Sequence, residues 1–286
     1  MKTETETVQK TENNLPDGHL PAYKVIVVCP QCKEGHLQFP PVHNNVVCSL
    51  CDMVYPARTR FVDLLYGPDE RIPASIPMEW GWMAEMYETR LWRRGILNSG
   101  FFRISFEKEY NTLVEAMGIT NCESVLDVAC GPGMYARPLA KKLTNGTVAG
   151  LDISMPMLNY ASGKSEKEGL DNLLLIHGSA KDLPFPEYEF DVVNCCGALH
   201  LFPQVSTVKG FYTVLKPGGR VTVATTRQPL QFTWAKKLSD YLHKKGWAKY
   251  FYRDELVTLF SKAGFTNITF HHAKGYWFLL SAVKPE

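Results

Sequence analysis

Gly131, Gly133 and Asp152 are spaced to hold a nucleoside. The apolar run Val125-Leu126-Asp127-Val128 reads as a buried strand entering the turn Ala129-Cys130-Gly131-Pro132-Gly133, with a helix starting near Met134. A second strand, Thr147–Leu151, ends in the acid Asp152. Strand, glycine turn, helix, strand and acid is the layout of a nucleoside-binding half of a doubly wound α/β sheet. The two glycines lack the Cβ atoms that would keep the backbone away from a ligand, and Asp152 is placed to accept hydrogen bonds from two ribose hydroxyls. The turn is Gly-Pro-Gly with Ala136 at the third glycine position of a dinucleotide fingerprint, a poor fit to a bound pyrophosphate.

A second constellation lies near the front. Cys29 and Cys32, then fifteen residues, then Cys48 and Cys51 form two Cys-x2-Cys pairs. Each pair suits a tight turn aiming two thiolates at one point, and four thiolates make the tetrahedral sulfur cage that Zn²⁺ accepts. Four sulfurs leave no open coordination position, so the expected metal is structural. The segment resembles a zinc ribbon over roughly residues 22–58, with short strands before each pair. Cys122, Cys130, Cys195 and Cys196 lie at the ends of core strands and read as small buried apolar residues.

These sites need a scaffold, and the chain is long enough for one. Its 286 residues are 45% apolar and 21% charged, with a net charge of +2, ordinary values for a globular protein and no strong nucleic-acid or membrane field. No apolar run reaches the length of a membrane span, the front carries no secretory signal, and the expected compartment is the cytoplasm. The organisation reads as a disordered tail over 1–21, a zinc-ribbon-like module over 22–66, a linker and helical cap over 67–104, and an α/β domain over 105–286 with an insertion at 228–252. The cap carries Trp80, Trp82, Met83, Met86 and Tyr87 at helical spacing, and the insertion carries Phe232, Trp234, Tyr241, Trp247, Tyr250 and Phe251. Further strands are expected at Leu173–Ile176, Asp191–Cys195 and, after a Lys216–Gly219 turn, Arg220–Thr225. Asn267–His272 and Trp277–Val283 close the chain as an antiparallel hairpin.

Five ordered pieces, residues 125–133, 150–158, Asp182-Leu183-Pro184-Phe185, Phe190-Asp191-Val192-Val193 and 214–219, carry a resemblance. Residues 105–285 resemble the class I S-adenosylmethionine-dependent methyltransferases, especially the branch close to the ubiquinone/menaquinone methyltransferases. The resemblance implies a doubly wound, seven-stranded Rossmann-like sheet. It also implies that Ala129, Gly131 and Gly133 form the turn at the methionine part of the donor and that Asp127 reaches its amino group. Asp152 would bind the ribose diol, with Ile153 and Met157 flanking the adenine. Where the family commonly has Gly-Asp-Ala after the third strand, this chain has Gly178-Ser179-Ala180. Ser179 can still accept a hydrogen bond but supplies no charge; Asp182 is the candidate to compensate.

The acceptor stays open among three readings. The aromatic cap segments suit a small, largely apolar or aromatic metabolite, which is the favoured reading. The cysteine module also resembles that of zinc-bearing rRNA guanine-N1 methyltransferases, and of plastid and bacterial methyltransferase-like proteins. Lys236, Lys237, Lys244, Lys245 and Lys249 among aromatics could then face RNA. A third reading is an adaptor that keeps the donor-binding fold without methylating. His200, just past the fourth strand, is the candidate general base if the acceptor must lose a proton; a contact to the donor or a loop bridge is the alternative role. O-, N- and C-methylation and the oligomeric state are left open.

Overall fold

The structure is a computed structural model describing residues 25–39, 45–58, 61–65, 73–89, 96–228, 233–245 and 247–286. The expected tail, most of the linker and Phe232 lie outside the described residues. Along the chain come β1 (Leu37–Gln38), β2 (Asn45–Cys48), β3 (Val54–Arg58) and β4 (Phe61–Asp63), followed by a 3-10 helix at Pro73–Glu79. Helices α1 (Gly81–Glu88), α2 (Ile96–Phe102) and α3 (Phe106–Met117) lead into β5 (Ser124–Val128). Then follow α4 (Ala136–Lys142), β6 (Thr147–Asp152), α5 (Met155–Lys167), β7 (Leu173–His177), β8 (Phe190–Cys196), α6 (Gln204–Val214) and β9 (Leu215–Thr226). Helices α7 (Thr233–Lys244) and α8 (Arg253–Lys262) precede the hairpin β10 (Thr266–Lys274) and β11 (Trp277–Val283).

Strands β5, β6 and β7 are almost entirely buried, as parallel strands covered on both faces must be. Their side chains alternate between two cores. Val125, Val148, Leu173 and Leu175 join the cluster that holds α3, α4 and α5 residues. Leu126, Ala149, Leu174 and Ile176 join the cluster that holds α6 and α8 residues. The block β7-β6-β5-β8-β9-β11-β10 is the doubly wound arrangement, parallel up to β9 and antiparallel beyond it. Strand order reverses at β5, so the crevice beyond the carboxyl ends of β5 and β8 is the switch point where such sheets bind ligands.

The sheet does not stop at seven strands. It has eleven among the described residues, because β4 pairs parallel with β7 through Phe61↔Leu175, Val62↔Ile176 and Asp63↔His177, and β3, β2 and β1 follow antiparallel. The physical reason lies in β7. Its five residues are buried, and an uncovered edge there would expose an unpaired ladder. Residues 178–189, between β7 and β8, contain no helix. The cysteine module fills that layer: Val25, Val27, Val46 and Tyr55 pack in the same core as Leu174 and Ile176. It is pinned by Val28 N to Pro184 O (2.8 Å), Ile26 N to Glu189 Oε1 (2.9 Å) and a Lys33–Asp182 ion pair.

A second difference concerns residues 216–219, expected as a turn before the fifth strand. They lie within β9 as a bulge, where the register to β8 jumps from Phe190↔Leu215 to Val192↔Arg220 and Gly218 takes φ +73°.

Candidate functional site

The turn after β5 packs three positive-φ residues into five positions: Ala129 at +56°, Gly131 at +55° and Gly133 at +80°. Ala129 holds a conformation that L-residues adopt at a cost of about 1–2 kcal/mol, strain placed beside the cavity. The turn is tied to the next strand. Asp152 Oδ2 accepts from Gly131 N (2.7 Å), Oδ1 accepts from Ser154 N (2.8 Å), and Cys130 N donates to Leu151 O (3.1 Å). Burial still pushes the Asp152 carboxyl above its ordinary range, against those two amide bonds.

A cavity of about 340 Å³ opens at this point, within the size range of small-ligand sites. It brings together Asp127, Ala129, Gly131, Asp152, Ile153, Met157, Ser179, Ala180 and His200. A Cβ on Gly131 would meet no protein atom within 4 Å, so the missing side chain opens onto the cavity. Gly133 does not line it; a Cβ there would meet the Arg137 side chain at 3.0 Å, so this glycine serves the turn and its helix. Asp182 does not line it either; exposed, it pairs with Lys33. Cys130 borders the cavity, but burial pushes its thiol well up, which suits a packed residue rather than a nucleophile.

Asp127 is 2% exposed. Its Oδ1 accepts from Asn194 Nδ2 (2.7 Å), and Asn194 Oδ1 accepts from Thr222 Oγ1 (2.9 Å), a polar chain across β5, β8 and β9. Its Oδ2 is buried without a hydrogen-bond partner in the protein. Burial raises this carboxyl to about 7, with the Asn194 bond opposing the shift. The Ala136 amide at the start of α4 also favours the Asp127 carboxylate, and this acid at the cavity wall fits a cationic amino group, as the open Gly131 cradle beside Asp152 fits a nucleoside. The residues present therefore fit S-adenosylmethionine.

The cap covers one side. Met78, Glu79 and Tyr87 line the cavity, Ser154 Oγ donates to Met78 O (2.8 Å), and Glu88 pairs with Arg137 and accepts from Tyr160 OH (3.1 Å). On the other side His200 sits in a short 3-10 turn after β8, its Nδ1 3.4 Å from Thr225 Oγ1 and its ring 6.3 Å from that of Trp277. The insertion closes less than its aromatics led one to expect: Trp234, Tyr241 and Trp247 are exposed, and Ala248 is its one lining residue among those described. Its lysines are not all free to meet a polynucleotide. Lys249 pairs with Asp240 (3.8 Å) and lies 5.3 Å from the Phe251 ring centre, and nothing is described of the Lys236 side chain.

Two groups escaped sequence reasoning. Glu109, 1% exposed, accepts from Tyr135 OH (2.6 Å) and Trp277 Nε1 (2.8 Å), fixing the cavity-lining Tyr135 and the Trp277 ring behind His200. Its signal was present: Glu109, Leu113 and Met117 share one helical stripe, an acid in an apolar phase. His177 bridges Asp63 Oδ1 (2.7 Å) and the Ile153 carbonyl (3.0 Å), joining the strand that leaves the cysteine module to the donor-side loop. No local pattern announces that contact.

The four cysteines converge, with all Sγ atoms within 4.8 Å of one another. Cys29–Cys51 and Cys32–Cys48 are each 3.7 Å apart. Sulfurs about 2.3 Å from a tetrahedral Zn²⁺ sit about 3.8 Å apart, so the spacing fits that ion. Gly35 N and Leu50 N donate to Cys32 Sγ (3.3 Å) and Cys48 Sγ (3.4 Å), and Tyr55 OH lies 3.1 Å from Cys29 Sγ, the outer contacts a thiolate cage needs. A Cβ on Gly35 would strike Cys48 Sγ at 2.3 Å.

Comparison with known proteins agrees with this geometry. A family model described as a methyltransferase domain matches residues 125–219. The demethylmenaquinone methyltransferase of Geobacillus sp. (strain WCH70) is 33% identical over 192 residues, covering 59% of this chain and 81% of that protein. Among solved structures, an S-adenosylmethionine-dependent methyltransferase from Aquifex aeolicus is 18% identical with a TM-score of 0.54, covering 72% of this chain and 98% of that one. Phosphoethanolamine N-methyltransferase 2 of Haemonchus contortus, solved with S-adenosyl-L-methionine, is 17% identical with a TM-score of 0.53, covering 70% of this chain and 59% of that one. The chain belongs to the class I S-adenosylmethionine-dependent methyltransferases.

Proposed function

We propose that this protein transfers a methyl group to a small, largely apolar or aromatic acceptor of the hydroquinone kind, and that its four cysteines hold a structural Zn²⁺. The observation that carries the acceptor class is the cavity itself. Beside the glycine turn, Asp127 and Asp152, its lining is rich in large apolar and aromatic side chains, Phe106, Tyr135, Leu201 and Phe202 among them. The demethylmenaquinone methyltransferases among its relatives support an aromatic acceptor.

S-adenosylmethionine, when bound, supplies a sulfonium methyl group open to in-line displacement. The protein's part is chiefly positioning, which can contribute several kcal/mol by holding reacting atoms close and aligned. Of the residues that line the cavity, Asp127 would hold the donor's amino group and Asp152 its ribose hydroxyls, with Ile153 and Met157 flanking the adenine beside Ser179 and Ala180. The Met78–Tyr87 cap excludes water on the donor side. His200 takes the acceptor's hydroxyl proton in the tautomer whose Nδ1–H faces Thr225 Oγ1 (3.4 Å), because only that tautomer leaves Nε2 the lone pair a base requires.

Methyl transfer from labelled S-adenosylmethionine to a reduced naphthoquinone lacking its ring methyl tests this reading. Labelled product that depends on the purified protein is expected. Turnover only on polar or charged acceptors would refute the apolar assignment.

A further inference from the structure

Helix α7 is turned inside out. At about 100° per residue, Trp234, Leu238, Tyr241 and Leu242 recur at i, i+4, i+7 and i+8 and form one stripe. On a helix packed against a core that stripe faces inward. Here those residues are 60, 49, 58 and 39% exposed, and Trp247 just beyond the helix is 59% exposed. The inward positions are polar instead. Ser239 is 6% exposed and its hydroxyl accepts from Tyr250 N (3.1 Å), while the His243 ring meets Gln204 Nε2 (3.1 Å) and the Trp247 carbonyl (3.0 Å). Exposed Lys237, Lys244 and Lys245 flank the stripe. The segment just after the helix reaches the cavity: Ala248 lines it, and Lys249 N donates to the His200 carbonyl (3.0 Å).

We propose that this face docks on an anionic phospholipid bilayer, with α7 lying in the headgroup plane and the mouth of the cavity turned toward lipid. An apolar stripe of Trp, Leu and Tyr beside lysines is the composition of a helix that lies in a membrane interface. The lysines complement anionic headgroups, worth about 1 kcal/mol each near such a surface. Two other occupants fit less well: Leu238 and Leu242, half of the stripe, offer nothing for a base to stack on, and a second copy of this chain would bring a face of the same positive charge. No described helix is long and apolar enough to cross a membrane, so the contact is peripheral. Docking stands on the helix alone; its consequence, that the acceptor is an amphiphile drawn from the bilayer, rests on the methyl-transfer reading above.

Flotation of the purified full chain with phosphatidylcholine vesicles, with or without phosphatidylglycerol, tests it. The wild type is expected to bind the anionic vesicles at least about tenfold better than neutral ones. The double variant Leu238→Gln/Leu242→Gln should lose that binding by about tenfold or more, while its affinity for S-adenosylhomocysteine, measured by calorimetry, stays unchanged and so reports an intact fold. A second variant, Lys237→Glu/Lys244→Glu, should lose the anionic preference. A wild type that floats with neither vesicle overturns the proposal, as does a stripe that instead drives concentration-dependent self-association or RNA gel shifts. Vesicle binding without S-adenosylhomocysteine binding would uphold docking and sink the donor reading.

Discussion

Asp152 accepts the Gly131 amide at 2.7 Å, so the acid that ends β6 and the glycine turn that follows β5 form one unit. The carboxylate orders the turn before any ligand arrives, and its remaining lone pairs face the cavity. Asp152→Ala therefore removes the proposed ribose contact and takes the acceptor from two amides, Gly131 N at the cavity wall and the buried Ser154 N. Affinity for S-adenosylhomocysteine should fall on the order of a hundredfold or more, and the melting temperature should drop, each stranded amide costing about 1–3 kcal/mol. Unchanged affinity by calorimetry would remove Asp152 from the donor site.

Asp127 gives a pH signature. Burial raises its carboxyl to about 7, above the unfolded value of about 3.9. Its contribution to stability of the free protein is thus full below the unfolded value and is lost as pH rises through about 7. Pairing with the donor's ammonium requires the carboxylate, so donor affinity should rise with pH from 6 to 8, with proton release on binding below about pH 7. Calorimetry in buffers of different ionisation enthalpy measures that proton. Asp127→Asn should flatten the profile; a profile still sloping in that variant assigns the proton to another group.

The strand β4 and the central block of the sheet teach different things about reading this chain. The donor half was legible because each piece is local: an apolar strand, a glycine turn, an acid at the next strand's end. The pairing of Phe61–Asp63 with Leu175–His177 was not, since it joins segments more than a hundred residues apart and leaves no periodicity in either. Asp63 and His177 were invisible for the same reason. The insertion misled in another way. Trp234, Leu238 and Tyr241 have the spacing of a core stripe, and spacing does not say which side the core is on.

The cysteine module should behave as a prop for the donor pocket. The wild type is expected to carry one zinc per chain; Cys29→Ser should lower that content and reduce the melting temperature by on the order of 5–10 °C, as loss of a structural metal does in a module this small. Asp63→Asn keeps the metal but removes the carboxylate beside His177, and should weaken S-adenosylhomocysteine binding several-fold through the loop at Ile153. Metal analysis and calorimetry on both variants check this. A Cys29→Ser protein with full zinc would contradict the four-sulfur site.

His200→Ala should lower kcat by about 10²–10⁴-fold at constant donor affinity if the side chain takes the acceptor's proton. A collapse of donor affinity with little further change in kcat would move His200 from base to donor contact.

The most direct test of the central claim is transfer of label from S-adenosylmethionine into a cell lysate, followed by separation into organic-soluble and RNA fractions. Protein-dependent label in the organic extract, abolished by Asp152→Ala, is expected. Label confined to RNA would contradict it and place the acceptor on a polynucleotide.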